Sequence, residues 1–364
     1  MKLVVNKDVL LDGLQKVQSI VSTRSTLPIL YNVFLKAEQD RVWLTATDLE
    51  VTVRTSLEAK IARTGGTTLP AKRFFSICRE LPANEIEIDV DDKDIASVRA
   101  GASFYKIIGI SEDEFPPLPT FHGNRSYSLE QKDLKTMLAA THYAASADVS
   151  RPALSGVLAS FKGGKLNMVA TDGRRMAMWE HELATTKETE GDYIIPAKTV
   201  GELLRSLGEE GEVRIQVAET QVAFDFGHIL VMSKLIDAAY PNFRQVIPND
   251  QGERISLERE MLLNAVRRVA LLLSDKSNSI TLSFTKDTLE VSASAADVGE
   301  ATEKMAVKYR GKDMAIAFNP DFLMDPLRTL GSDEVSLELT NELSPAVLRS
   351  DKPFLYVIMP MRVK

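Results

Sequence analysis

Trp43-Leu44-Thr45-Ala46-Thr47-Asp48 recurs 124 residues further on as Asn167-Met168-Val169-Ala170-Thr171-Asp172, and Ser292-Ala293-Ser294-Ala295-Ala296-Asp297 is a weaker third copy. The fold turns on this self-similarity, because a missed repeat misassigns the whole architecture. Working outward, Leu27-Pro28-Ile29-Leu30-Tyr31-Asn32-Val33 matches Arg151-Pro152-Ala153-Leu154-Ser155-Gly156-Val157 at the same offset. Leu69-Pro70-Ala71-Lys72-Arg73-Phe74, Ile195-Pro196-Ala197-Lys198-Thr199-Val200 and Phe318-Asn319-Pro320-Asp321-Phe322-Leu323 space their prolines 126 and then 124 residues apart. Each opens an amphipathic helix, with proline near the first helical position, where its missing N–H costs nothing. Phe115-Pro116-Pro117-Leu118-Pro119, Tyr240-Pro241-Asn242-Phe243 and Met359-Pro360-Met361-Arg362 close the units, giving three domains at 1–121, 122–249 and 250–364.

The order of periodicities is shared as well. Leu10, Leu14, Val17 and Val21 in the first copy, and Leu262, Val266, Val269 and Leu273 in the third, fall at i, i+4, i+7, i+11, one face of a helix. Short alternating runs follow, such as Val51-Thr52-Val53, Ile86-Glu87-Ile88-Asp89-Val90 and the stretch 104–110. Two helices and about eight strands per unit read as α+β with antiparallel sheets, arranged as three tandem domains. Units this long bury their own cores, so they form a modular arc rather than a thin solenoid. Identical arcs joined head to tail through their sheet edges can close a ring.

The 364 residues are 44 % apolar and 26 % charged, an ordinary soluble composition. Cys78 stands alone, which excludes a disulfide framework and a Cys-based zinc site; it reads as a small buried residue of a helix. The N-terminus lacks a signal-peptide core and no stretch of ~20 apolar residues offers a membrane span, so a cytoplasmic location is expected. His122, His142, His181 and His228 show no metal-ligand spacing, and no nucleophile elbow, dinucleotide fingerprint or phosphate loop is present. Gly163-Gly164 reads as a hairpin turn, and Asp48 and Asp172, each after a threonine at a strand end, as turn caps rather than a catalytic pair. No enzyme, metal or cofactor chemistry is expected.

The net charge of −7 argues at face value against a polyanionic partner. It is unevenly placed. The expected helices, 6–24, 70–81, 130–142, 196–207, 259–276 and 319–330, together carry +5, leaving −12 elsewhere. Two readings are open: helix surfaces simply favour Lys and Arg, or the helices share one mildly positive face that meets phosphates without a base code.

Several segments carry a resemblance: Thr26-Leu27-Pro28-Ile29-Leu30, Thr47-Asp48-Leu49-Glu50, Val169-Ala170-Thr171-Asp172-Gly173-Arg174-Arg175-Met176-Ala177, Ser233-Lys234-Leu235-Ile236-Asp237, Tyr240-Pro241-Asn242-Phe243 and Met359-Pro360-Met361-Arg362. In this order, over the entire chain, they resemble the bacterial DNA polymerase III beta subunit, the DNA sliding clamp. The resemblance implies a non-catalytic processivity factor, a head-to-tail homodimer that forms a ring around double-stranded DNA with sheets outside and helices lining the hole, placed there by an ATP-driven clamp loader. It implies further partners that dock through short peptide motifs: the replicative polymerase, repair polymerases, and ligase or mismatch-repair proteins. A three-domain scaffold whose ring stays open satisfies the same repeats.

Carried over by position, the resemblance puts a partner cleft at Leu154, Thr171, Gly173, Arg174, Arg175, Met176, Pro241, Val246, Asn319, Phe322, Val357, Met359, Pro360, Met361 and Arg362. Met and Pro offer an adaptable apolar surface, and the arginines suit a peptide's carboxylates or carbonyls. Burial in the last domain's own core accounts equally well for residues 359–362 alone. Arg174 stands where some relatives carry His, and Gln245 where some carry Arg. The implied DNA contacts are Arg24, Lys72, Arg73, Arg151 and Lys198. The implied dimer interface joins Arg99, Tyr105 and Lys106 to Leu272, Leu273, Glu300 and Glu303 of a second copy.

Overall fold

The computed structural model describes residues 1–21, 25–118, 121, 125–183, 190–248, 252–273 and 278–362. The chain divides into two compact units, residues 1–135 with 201–235, and residues 136–200 with 236–364. Each unit holds two sheets, and their strands pair antiparallel.

In the first unit a five-stranded sheet runs in the order Lys60–Arg63, Lys2–Asn6, Glu85–Val90, Ile95–Ala100, Ser103–Ile108. An eight-stranded sheet takes Arg125–Glu130, Glu212–Val217, Gln221–Asp225 and Ile229–Lys234 from the second repeat. It continues through Val51–Glu58, Arg41–Thr47, Asn32–Glu38 and Gly65–Pro70 of the first. The second unit repeats the device. Gly191–Pro196, Gly156–Lys162, Lys165–Thr171 and Arg175–Glu182 join Phe354–Ile358, Ala346–Arg349, Glu334–Leu339 and Glu253–Glu258 of the third repeat. A four-stranded sheet, Gly299–Ala306, Thr288–Ala295, Ile280–Thr285, Met314–Phe318, completes it. The compact units therefore ignore the repeat boundaries, because each eight-stranded sheet is stitched from two repeats. The stitches are Leu230 opposite Arg54 and Met176 opposite Val357, each within a five-residue ladder.

Six helices are present among the described residues: α1 (Lys7–Gln18), α2 (Ala71–Glu80), α3 (Gln131–Thr141), α4 (Ala197–Ser206), α5 (Arg259–Val269) and α6 (Pro320–Thr329). Asn6 starts α1 by accepting from the amides of Asp8 and Val9 at 2.9 and 3.3 Å. Leu10, Leu14 and Val17 are its buried face, and it lies so close to the sheet that a Cβ on Gly13 would sit 2.7 Å from Leu57. This helix is shorter than the spacing predicts. It ends at Gln18, where the Ser19 hydroxyl donates to Lys16 O and Glu202, a local alternative to helical bonding. Likewise α5 gives way after Val269 to a 3₁₀ turn at Ala270–Leu272, where its buried face runs out. Leu271 there is 78 % exposed. The charged residues of the six observed helices still sum to +5, with α2 and α5 at +2 each and α6 at −1.

The local turn readings hold. Gly163 and Gly164 have φ of 59° and 75°, the left-handed pair a two-residue hairpin needs. Cys78 is fully buried on α2 beside Phe74, and burial pushes its thiol up to about 12. The native protein should therefore resist a thiol-reactive dye for hours at pH 8 and take up one equivalent on unfolding in guanidinium; fast labelling of the folded chain would contradict this burial.

Candidate functional site

The candidate site grows from the repeated Thr-Asp turn. In the first repeat the Asp48 carboxylate accepts from the amides of Glu50 and Val51, at 3.0 and 2.8 Å, and the Thr47 hydroxyl accepts from Leu49. In the second, Asp172 accepts from Arg174 and Arg175 at 2.8 and 3.0 Å, and Thr171 from Gly173. Both turns are left-handed at the same position, φ 76° at Leu49 and 88° at Gly173. A leucine is strained there and a glycine is not.

What differs is what the turn carries. Val51 of the first copy is replaced by Arg175, whose guanidinium bonds Asp172 through Nε at 3.1 Å, Asp325 at 2.6 Å and the Tyr143 carbonyl at 2.7 Å. Phe322 of α6 packs on it, with the guanidinium carbon 4.4 Å from the ring centre. Arg175 is thus fully engaged within the chain. Arg174 is exposed, without an ion-pair partner among the described residues.

The floor is apolar. Met176 and Val357 are buried with Leu158, Val169, Ile194, Val347 and Leu355, and Ala153, Ile236, Tyr240, Phe243 and Ile247 pack partly exposed against them. Burial raises the Tyr240 hydroxyl above the usual phenol range, and it donates to Val169 O at 3.3 Å. The first repeat closes the corresponding place with buried Ile29, Leu30 and Phe115 under Phe34, Ile110 and Leu118. Ala153 stands where Ile29 stands, three carbons smaller, and Gly173 where Leu49 stands. The second copy is therefore left open.

The chain end supplies the other wall. Met359 N donates to Arg174 O at 2.9 Å and Met361 N to Ala317 O at 2.7 Å. Val357 and Ile358 are core residues, and burial ends there: Met359 is 43 % exposed. Pro360 and Met361 are half-buried and Arg362 is exposed. Leu154 and Thr171 are half-buried beside this groove, whereas Pro241 and Val246 lie on the exposed strap that carries Phe243. Asn319 caps α6, accepting from the Asp321 amide at 2.9 Å. A polar pocket of about 460 Å³ adjoins, lined by Ser146, Arg151, Asp172, Gly173, Arg174 and Phe322.

The structure separates other expected contacts. Arg151, expected among the DNA contacts, stands at this pocket, bonding Asp148 at 3.0 Å, Asp172 O at 3.1 Å and Ser146 at 3.3 Å. Lys72 and Arg73 are adjacent and exposed on α2 of the first unit, and Lys198 is exposed on α4. Arg24 lies outside the described residues. Tyr105 and Lys106 stand on the edge strand Ser103–Ile108, where Phe104, Tyr105 and Ile108 expose 49, 41 and 76 % of their surface, and Arg99 stands on the neighbouring strand Ile95–Ala100, opposite Phe104. Glu300 and Glu303 lie on the opposite kind of edge, Gly299–Ala306, with Leu272 beside Gly299. Glu303 is already paired with Arg268. Sequence reasoning missed Tyr240, Phe243, Ile247 and Ala153 as the floor and Asp325 and Tyr143 as the partners of Arg175. The aromatic pair in Tyr240-Pro241-Asn242-Phe243, matching Phe115 and Leu118, was the signal for the floor. Among the described residues no cluster of acidic, His and Cys side chains suits a metal ion, and no helix is long and apolar enough to cross a membrane.

Comparison with known proteins gives concordant matches. Residues 1–119, 128–242 and 244–362 match the N-terminal, central and C-terminal domains of the DNA polymerase III beta subunit family. The chain is 33 % identical to the beta sliding clamp of Chlamydia muridarum over 363 residues, covering all of this chain and 99 % of that one. The sliding clamp of Pseudomonas aeruginosa, solved with griselimycin bound, superposes with a TM-score of 0.95 at 31 % identity over both full chains. That of Bacillus subtilis gives 0.95 at 28 %, again over both full chains.

Asp172→Ala should destabilise the second unit by about 3 kcal/mol, since it strips two backbone amides and a half-buried guanidinium of their acceptor. Asp48→Ala, with valine in place of that arginine, should cost about half as much. Urea unfolding of the two variants measures this, and equal losses would contradict the role given to Arg175.

Proposed function

The chain belongs to the DNA polymerase III beta subunit family, and from that premise we propose where on this protein the family's work is done. It is a sliding clamp, a non-catalytic processivity factor that binds DNA, dimerises and holds the polymerase and other partners through a peptide-binding region. We place that region at the open groove of the second unit, between the 171–175 turn, the 240–247 strap, α6 and residues 357–362. The observation that carries this assignment is the contrast of one position in two repeats, filled by buried Ile29 in the first and by the smaller, half-buried Ala153 in the second. A short peptide with apolar anchors fits the Met176, Val357 and Phe243 floor, and Arg174 meets its carboxylates or carbonyls.

The dimer follows from the stitches. The last strand of the second repeat pairs with Val51–Glu58, and the last strand of the third with Arg175–Glu182. Two counterparts remain as sheet edges, Ser103–Ile108 in the first repeat and Gly299–Ala306 in the third. A second copy pairs each edge with the other, head to tail, and the six-domain ring of three domains per copy, 1–121, 122–249 and 250–364, is closed. Phe104, Tyr105 and Ile108 then meet Leu272, Leu273 and the aliphatic stems beside them. Arg99 and Lys106 face Glu300 and Glu303, and of these Glu300 is the carboxylate not already held by an arginine. Apolar contact dominates, since exposed ion pairs contribute only ~0 to 1 kcal/mol each.

Duplex DNA passes through the ring and meets Arg24, Lys72, Arg73, Arg151 and Lys198 without a base code. Lys72 and Arg73 are well placed for phosphates, with no carboxylate partner among the described residues. The working compartment is the nucleoid-containing cytoplasm, where DNA and the clamp loader are.

Ile108→Asp should turn the dimer into a monomer in sedimentation at micromolar concentration and return primer extension by the polymerase to short products; an intact dimer would remove the edge-pairing account. Deleting residues 359–364 should abolish binding of a fluorescent copy of the polymerase's clamp-binding segment and leave the dimer intact. Unchanged affinity would move the cleft elsewhere.

A further inference from the structure

The groove just described has a support that touches no visitor. Asp325 lies on α6, one turn after Phe322, and its carboxylate holds Arg175 at 2.6 Å and Arg328 at 3.5 Å. Arg175 and Asp325 are 150 residues apart in the chain, and their bond ties together the two elements, the 171–175 turn and α6, that supply Gly173, Arg174 and Phe322 to the pocket lining. Their side chains are 11 and 23 % exposed, so the pair is screened little by water.

The helix is least self-sufficient at this place. Pro326 is inside α6, where it removes the hydrogen bond to the carbonyl of Phe322. A proline also disfavours helical backbone at the residue before it, which is Asp325. The first turn and a half of α6, with Phe322, therefore relies on contacts outside the helix. Inward it is held by burial of Leu323 and Met324; toward the groove it is held by Arg175, on which the Phe322 ring packs. Arg175 in turn is steadied by Asp172 and by the Tyr143 carbonyl, which ties in the 3₁₀ turn His142–Ala144.

We propose that Asp325 is a positioning residue for partner binding: through Arg175 it sets the distance between Phe322 and the 171–175 turn, and with it the width of the mouth that admits a peptide. The inference rests on the groove being the peptide site. Without the Asp325 carboxylate, Arg175 keeps Asp172 and swings with the turn, Phe322 loses its packing partner, and the two walls no longer hold one spacing. The floor of Met176, Val357, Tyr240 and Phe243 stays as it is.

The test is a double-mutant cycle on the full-length dimer, read by fluorescence anisotropy with the polymerase's clamp-binding segment as probe. Asp325→Asn and Arg175→Gln should each weaken binding about tenfold. The double variant should bind no worse than the weaker single one, because both act through one contact. Sedimentation and thermal melting of Asp325→Asn should show a folded dimer, which separates positioning from global loss. If that variant does not fold, Asp325→Glu takes its place, keeping the charge and moving it by one methylene; it should weaken binding about threefold. Affinity within error of the parent protein, or a double variant whose loss is the product of the single losses, overturns the proposal while the groove assignment stands. A parent protein that does not bind the probe takes down the groove assignment and this inference together.

Discussion

A β-sheet edge is a row of unpaired amides and carbonyls, and that constraint governs this protein. Each repeat presents an edge it cannot satisfy alone, so Ile229–Lys234 pairs with Val51–Glu58 and Phe354–Ile358 with Arg175–Glu182. The groove proposed for partners is a by-product of one such stitch. Met359 N bonds Arg174 O directly beyond the ladder in which Met176 faces Val357, so the chain end is delivered to the 171–175 turn by sheet continuity. The same constraint leaves Ser103–Ile108 and Gly299–Ala306 as sheet edges, the two that we propose a second copy covers.

Given the stitches, small side-chain changes decide which seam does work. The Thr-Asp turn is made twice with the same hydrogen bonds, and in both the aspartate serves the backbone. Ile29, with Leu30 and Phe115, then fills one seam, and Ala153 leaves the other open. Arg175 turns the open seam into a defined one, since its donors are spent on Asp172, Asp325 and Tyr143 rather than on a visitor. The charge of −7 is compatible with DNA on the same grounds. Helices at +5 give weak, salt-sensitive attraction, and enclosure requires no more.

Much of this was legible in the sequence where the cause is local. Proline at 70, 196 and 320 marked three helix starts, Gly163-Gly164 a hairpin, and Asp48 and Asp172 their turns, because each acts on atoms a few residues away. The end of α1 at Gln18 was not legible, since Ser19 is diverted by Glu202, far along the chain. The stitches between repeats were equally hidden, since periodicity says which face of a strand is buried but not which strand lies beside it. The pairing of Arg175 with Asp325 was not legible, because the two are 150 residues apart. The acceptors of Arg151, a loop carboxylate and a turn carbonyl, were hidden too, since the carbonyl of Asp172 is 21 residues away.

The claim that DNA is held by enclosure is tested most directly by loading the protein with its clamp loader onto a nicked circle, removing free protein, and following retention before and after one cut linearises the circle. The account predicts that the protein stays on the circle through a wash at 0.5 M salt, roughly the level at which a few phosphate contacts no longer hold a protein, and leaves within minutes of the cut. Equal loss from circular and linear DNA, or retention on both, would contradict it.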